Sequence, residues 1–375
     1  MDTPLARSNP EPQSIAIVKS HVGFSVTTQN YNRQDLGLAR ALNRRGHLVK
    51  LVLCGDRDEV TTYSSKSSKE IKEYTFRSRQ LGTHGILPRR AYDMLRVDTI
   101  IHYADIQVGV PAMKSFSDRA RIAYFPYIGT LRTSRQRASA MGRIILAKNL
   151  SVYRESHCLA KTPHIEQELR GLGVRSVSQL SVGLDPENLR PTSECTREAA
   201  REELGLPPSG PVVLSIGRLE AYRNPLALPR LFARIREECP ATLLVVGEGS
   251  LEQELSRLLR VADLDVYTKR VSYLPQPEIW KAFRAANVTV NLNPGEIVGM
   301  SILESLYYAT PVVAVRAPGP SNIISNGVDG FTVEPSDEGA FAERVISILT
   351  NRNTLPGGSK NLTWDDSLTA ANLPF

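Results

Sequence analysis

Short apolar runs recur along this chain and alternate with amphipathic segments, and that alternation restricts the fold more than any other feature. In the first half the runs are SIAIVK, LVKLVLC, DTIIHY, RIAYF, HCLAK and VSQLSV. In the second they are PVVLSI, TLLVVG, KRVSYL, NVTVNL, TPVVAV and GFTV. Helical patterns lie between several of them, such as RQDLGLARALNRR, closed by Gly46, and PLALPRLFARIREE, which starts at a proline. A strand buried on both faces reads as a continuous apolar run, and strand–helix alternation builds parallel sheets covered by helices. Two such series predict an α/β protein of two Rossmann-like domains with a cleft between them. The length of 375 residues suits two cores better than one. The expected domains are 1–190 and 191–350, followed by a tail over 351–375. The polar stretch LDPENLRPTSECTREAA, 184–200, reads as the linker.

Several classes fall away on composition. Hydrophobic residues make up 41% and charged residues 23%, which is ordinary for a globular protein. No apolar run reaches the length of a membrane span, and MDTPLARSNPEPQ lacks the apolar core of a signal peptide. Cys54, Cys158, Cys195 and Cys239 are scattered without metal-ligand or CxxC spacing, which fits reduced thiols in a cytoplasmic protein. The net charge of +7 is unevenly spread. Residues 1–190 hold 29 Lys and Arg against 17 Asp and Glu, whereas the remainder holds 17 against 22. The first half is therefore expected to face something acidic, whether nucleic acid, a phosphorylated substrate or an anionic membrane.

Ligands of open α/β sheets bind at the carboxyl ends of the strands. VVLSIGRLEAYRNP delivers Arg218 and Arg223 there, although each alone reads as a solvated loop arginine. LLVVGEGS is a second strand with a glycine turn, weak evidence by itself. In NVTVNLNPGEIVGMSILESLYY a strand, a loop and a helix start succeed one another. The helix N-terminus around Gly299, Met300 and Ser301 offers backbone N–H groups and partial positive charge to an anion. Glu304 has a plain alternative, since Ser301-Ile302-Leu303-Glu304 fits the S-x-x-E capping box, and spacing alone favours it. Glu296 has no comparable local role, only solvent exposure. Together two guanidiniums, a helix N-terminus and two carboxylates suit the diphosphate and the hydroxyls of a nucleotide sugar.

On these residues the chain resembles the retaining GT-B glycosyltransferases of family 4 (glycosyl transferases group 1). SIAIVK with LARALNRRGHLVKLV, AKTPHIEQELRGLGV, SVGLDPENLRP, the G-R-L and V-G-x-G motifs, the E-x(7)-E pair in GEIVGMSILESLYYATPVVAV, and APGPSNIISNGVDGF carry the resemblance over most of the chain. It implies that Arg218 contacts the donor diphosphate and that Arg223 stands where the family has a lysine. It implies backbone contacts to the distal phosphate from Gly299, Met300 and Ser301, ribose hydroxyls on Glu304, and the donor sugar on Glu296. Gly23, in HVGFSV, stands near the place of the family's paired glycines after the first strand. No metal or cofactor is implied; a UDP- or GDP-sugar is the expected donor substrate. The family's histidine after the fourth strand of the first half is matched by Phe125, while His102 reads as structural. The family's closing cross-over helix is expected in shortened form in TWDDSLTAANLPF.

The resemblance implies transfer of a hexosyl unit to a hydroxyl acceptor with retention, as in polysaccharide or glycoconjugate synthesis. The acceptor would attack on the face the phosphate leaves. A degraded nucleotide- or partner-binding protein, and a sugar-nucleotide epimerase or phosphorylase, are the alternatives. From Arg119 to Arg154 there are eight basic residues and no acidic one. That segment reads either as a solvated basic face or as a peripheral contact with the inner face of an anionic membrane. Beyond charge no motif points to nucleic acid.

Overall fold

A computed structural model describes residues 11–20, 33–81, 84–103, 107–116, 118–126, 140–194, 196–352, 355–356, 358, 360, 362–371 and 373. The chain forms two compact units, Met1–Asp185 with Trp364–Phe375, and Pro186–Thr363. The expected division at 190/191 lies five residues beyond the observed one. The stretch expected as a pure linker ends in structure: Thr196 Oγ1 accepts from the Ala199 N–H (3.2 Å) and starts the helix Arg197–Leu204. The tail is divided as well, because its last helix belongs to the first unit.

In the first unit the strands are β1 (Ser14–Lys19), β2 (Leu48–Gly55), β3 (Glu59–Tyr63), β4 (Ile71–Arg77), β5 (Arg79–Leu81), β6 (His84–Ile86), β7 (Thr99–Tyr103), β8 (Arg121–Tyr124), β9 (His157–Ala160) and β10 (Ser176–Gln179). Eight of them form one sheet in the order β10-β9-β8-β7-β1-β2-β4-β3, parallel except for the edge pair β3–β4. β5 and β6 make a small separate hairpin. Ile15, Ala16, Ile17 and Val18 of the central strand β1 are fully buried, as a strand covered on both faces requires. β4, IKEYTFR, is not one of the apolar runs. It alternates buried and exposed positions, the period-2 pattern of a strand near a sheet edge. Helix α1 (Gln34–Arg44) packs behind β2 and ends toward Gly46, whose φ is +96°.

The second unit carries β11 (Val212–Ile216), β12 (Thr242–Val246), β13 (Thr268–Val271), β14 (Val288–Asn291), β15 (Val312–Val315) and β16 (Gly330–Val333). All are parallel, in the order β13-β12-β11-β14-β15-β16. Numbered within the unit this is 3-2-1-4-5-6, the doubly wound order, and its topological switch point lies between β11 and β14. The core forms as the sequence periodicity dictates. Leu228, Leu231, Phe232 and Ile235 are buried on one stripe of the helix Leu228–Glu238, spaced i, i+3, i+4, i+7. Burying each such side chain contributes roughly 1.5–3 kcal/mol. The expected α/β architecture with two Rossmann-like domains is what the chain adopts.

Candidate nucleotide site at the second sheet's carboxyl edge

The loops leaving β11 and β12 are laid backbone on backbone. The Gly217 N–H donates to the Val246 carbonyl and the Leu219 N–H to the Glu248 carbonyl, both at 2.9 Å. At Gly247, where φ is +134°, a Cβ would stand 2.0 Å from the Gly217 carbonyl oxygen. The glycines of VGEG therefore serve this close approach. Beyond it, Glu220 accepts from the Ser250 Oγ (2.7 Å), the Ser250 N–H (3.2 Å) and Arg218 Nη2 (3.3 Å). The Ser250 bonds, with Arg218, hold the Glu220 carboxyl below the usual carboxylate range. Arg218 itself is 68% exposed, so its guanidinium is presented rather than buried.

Arg223 is set differently. Its guanidinium lies over Gly217, where a Cβ would come 2.9 Å from Nη1, and its buried Nε has no partner among the described residues. Nη1 stands 3.7 Å from Glu296 Oε2. The concavity beside both arginines is lined by Ser215, Gly217, Arg218 and Arg223 from the β11 side and by Asn291 and Asn293 from the β14 side. Those are the two strands that flank the switch point.

Two expectations about the carboxylates are overturned here. Glu296 has a local role as a brace, with Oε1 accepting from the Gly299 N–H (3.2 Å) and Oε2 from Asn293 Nδ2 (3.2 Å). It closes the loop because Asn291 and Asn293, with side-chain oxygens that accept from the Asn293 and Gly295 N–H groups (both 3.0 Å), fold the chain back on itself. The capping box does not form. The residue preceding the helix Met300–Tyr307 is Gly299, at φ +80°, and no side chain caps it. Ser301 is thus the second helical residue, too late to be the cap. The N–H groups of Met300 and Ser301 belong to the first turn, which has no intrahelical acceptors for them. Glu304 is fully buried and accepts from Gln276 Nε2 at 3.1 Å. Gln276, Asn293 and Glu220 are not marked in the sequence, since none stands at a diagnostic spacing.

Arg218, Arg223, Glu296, Gly299, Met300, Ser301 and Glu304 all belong to the loops and the helix start at this one edge. Gly23 lies outside the described residues. In the first unit His102 is fully buried, 2.7 Å from the Ser20 Oγ, and burial depresses its pKa to about 3. Phe125 is 1% exposed and stands against Tyr103, with the Lys161 ammonium 5.2 Å from its ring centre. A side chain so covered has no ring nitrogen to offer and little surface for a substrate. Of the basic segment, 127–139 lie outside the described residues. The helix Ala140–Arg154 exposes Met141 (59%) and Ile144 (52%). Among the described residues no helix is long and apolar enough to cross a membrane, and no group of three or more His, Cys, Asp or Glu could hold a metal ion.

Comparison with known proteins bears on this unit most directly. Residues 196–360 match the family of glycosyl transferases group 1. That group 1 match spans β11 to β16 and every described residue of the edge just built. The chain is 31% identical over 206 residues to D-inositol 3-phosphate glycosyltransferase 2 of Catenulispora acidiphila, which covers 52% of this chain and 47% of that one. To the D-inositol 3-phosphate glycosyltransferase of Streptosporangium roseum it is 30% identical over 239 residues, 60% of this chain and 52% of the relative. The chain thus spans about half the length of these curated relatives. Solved structures agree over nearly the whole chain. Sucrose-phosphate synthase from Thermosynechococcus elongatus superposes with a TM-score of 0.69 at 18% identity, covering 96% of this chain and 94% of that one. Anabaena HepE in complex with UDP-glucose gives 0.66 at 17%, covering 95% and 94%. The fold is GT-B.

Proposed function

We propose that this protein is a retaining glycosyltransferase of family 4, moving a hexosyl unit from a nucleotide sugar to a hydroxyl acceptor. The observation that carries the proposal is the buried Glu304 carboxylate, which serves no capping box and is set beside a helix start. With Arg218 and Arg223 on the facing loop, the edge combines diphosphate-holding and hydroxyl-accepting groups. In this reading Arg218 and Arg223 stabilise the charge that develops on the leaving diphosphate. The Met300 and Ser301 N–H groups hold its distal phosphate, Glu304 takes ribose hydroxyls, and Glu296 orients the sugar from a loop it also braces. The acceptor hydroxyl attacks on the departing side, and the leaving phosphate oxygen takes its proton. UDP or GDP is the proposed nucleotide, UDP having support from the UDP-glucose complex of the structural neighbour. The inositol-phosphate relatives make a small phosphorylated polyol the first acceptor to try.

Thermal stability against UDP, GDP, ADP and their sugar conjugates tests the donor assignment. Saturation at a hundred times the dissociation constant adds about 2.7 kcal/mol. One nucleotide is expected to raise Tm in the wild type and not in Glu304→Ala; no shift with any nucleotide overturns the assignment. A second reading, nucleotide binding without transfer, draws on the buried Phe125 in the place of the family histidine. Acceptor-dependent release of nucleoside diphosphate decides between the two. We further propose a cytoplasmic location with the Ala140–Arg154 helix against anionic lipid, worth about 1 kcal/mol per basic residue near the surface. Cosedimentation with phosphatidylserine vesicles, absent with phosphatidylcholine, is the expected result.

A further inference from the structure

Gln276 is a polar side chain that reaches Glu304 from a distant strand. It lies in the loop after β13, one of the two edge strands, three places from β14 in the sheet. Pro275 and Pro277 flank it, and buried Ile279 and Trp280 anchor the turn that follows. Proline on both sides restricts the backbone, so the side chain is delivered from a stiff support. Nε2 donates to Glu304 Oε1 at 3.1 Å. This contact fixes the amide's orientation, because a carboxylate accepts and only the nitrogen end of the amide can donate to it. The other end is consequently forced: Gln276 Oε1 is buried and has no donor among the described residues.

A buried acceptor without a donor is unfavourable, and a ligand O–H placed there relieves it. We infer that Gln276 and Glu304 together read the two ribose hydroxyls of the nucleotide, the carboxylate accepting from one and the Gln276 amide oxygen from the other. The inference rests on the nucleotide-sugar reading above and deepens it, since it assigns a specificity-determining role to a residue outside the motifs of the sequence. Two adjacent acceptors held by one bond are matched to a cis-diol and mismatched to a deoxyribose.

Dissociation constants measured by calorimetry for UDP, GDP and ADP, each beside its 2′-deoxy and 3′-deoxy forms, test this on the wild type, Gln276→Met and Gln276→Leu. In the wild type each deoxy form is expected to bind about tenfold more weakly. In both variants the penalty for one deoxy form should vanish while the other persists. If both penalties stay at their wild-type size, Gln276 reads nothing. If both vanish together, or all nucleotides weaken equally, Gln276 acts only by placing Glu304 or by touching the base, and the assignment falls. Should the wild type bind none of the nucleotides, the donor reading itself fails; a wild type that binds while the variants keep its ratios overturns only the inference.

Discussion

Arg218 and Arg223 share one loop but stand in different surroundings, and their substitution should separate accordingly. Arg218 is exposed and held by a contact to Glu220. Arg218→Ala is expected to lower kcat/KM about a hundredfold, on the order of 3 kcal/mol, with Tm nearly unchanged. Arg223 packs over Gly217 and stands near Glu296, so Arg223→Ala should lower both donor affinity and Tm. Parallel steady-state kinetics and thermal melts distinguish these patterns. At this scale the sequence is half legible. Charge type and position along the chain are visible for all four charged site residues, because strand ends and glycine turns mark the sheet edge. The partners are not. The bond from Gly299 to Glu296 depends on the asparagine-rich turn over 291–295, and the bond from Gln276 to Glu304 joins residues 28 positions apart. The capping box fails for a similar reason: one glycine at positive φ takes the cap position and starts the helix at Met300, ahead of Ser301.

Elements are legible where strands are buried on both faces and obscure where they are not. β1, β11, β14 and β15 read as continuous apolar runs and are buried. β3 and β4, nearer a sheet edge, carry alternating polar residues and give no such run. The β11 and β12 loops form a single layered element, and its tolerance is predictable. In Gly247→Ala the new Cβ would fall 2.0 Å from the Gly217 carbonyl oxygen, and no flexible side chain is there to move aside. This variant is expected to lose about 2 kcal/mol or more of stability, on the order of the cost of a strained backbone plus a lost contact. Urea melts that leave the midpoint unchanged would contradict the packing described.

At the scale of the whole molecule, two features set behaviour. One is the response to acid. His102 protonates near its ordinary 6.5 in the unfolded chain but only at about 3 in the folded one. Below pH 6.5 the unfolded state therefore binds more protons, and stability falls by up to about 1.4 kcal/mol per pH unit on this account. His47 and His157, also depressed by burial, act in the same direction. Lys19 and Arg33 hold the buried Asp35 carboxyl well below its ordinary value, which adds a further loss once the pH falls below about 4. His102→Gln is expected to flatten the decline between about pH 6.5 and 4.5, read as urea midpoints. The other feature is the helix Trp364–Ala370. Trp364 is fully buried, its backbone N–H donates to the Leu184 carbonyl (3.0 Å), and its ring leaves so little room that a Cβ on Gly37 would stand 2.8 Å from it. Arg44 donates from Nε to Asp365 Oδ1 at 3.2 Å. Trp364→Ala should cost about 3–5 kcal/mol and lower Tm. Because the first unit takes this piece from residues 364 onward, a ribosome finishes the second unit before the first can close. The unit begun first is thereby completed second, and until the helix Trp364–Ala370 emerges the space beside Gly37 lacks the indole that fills it.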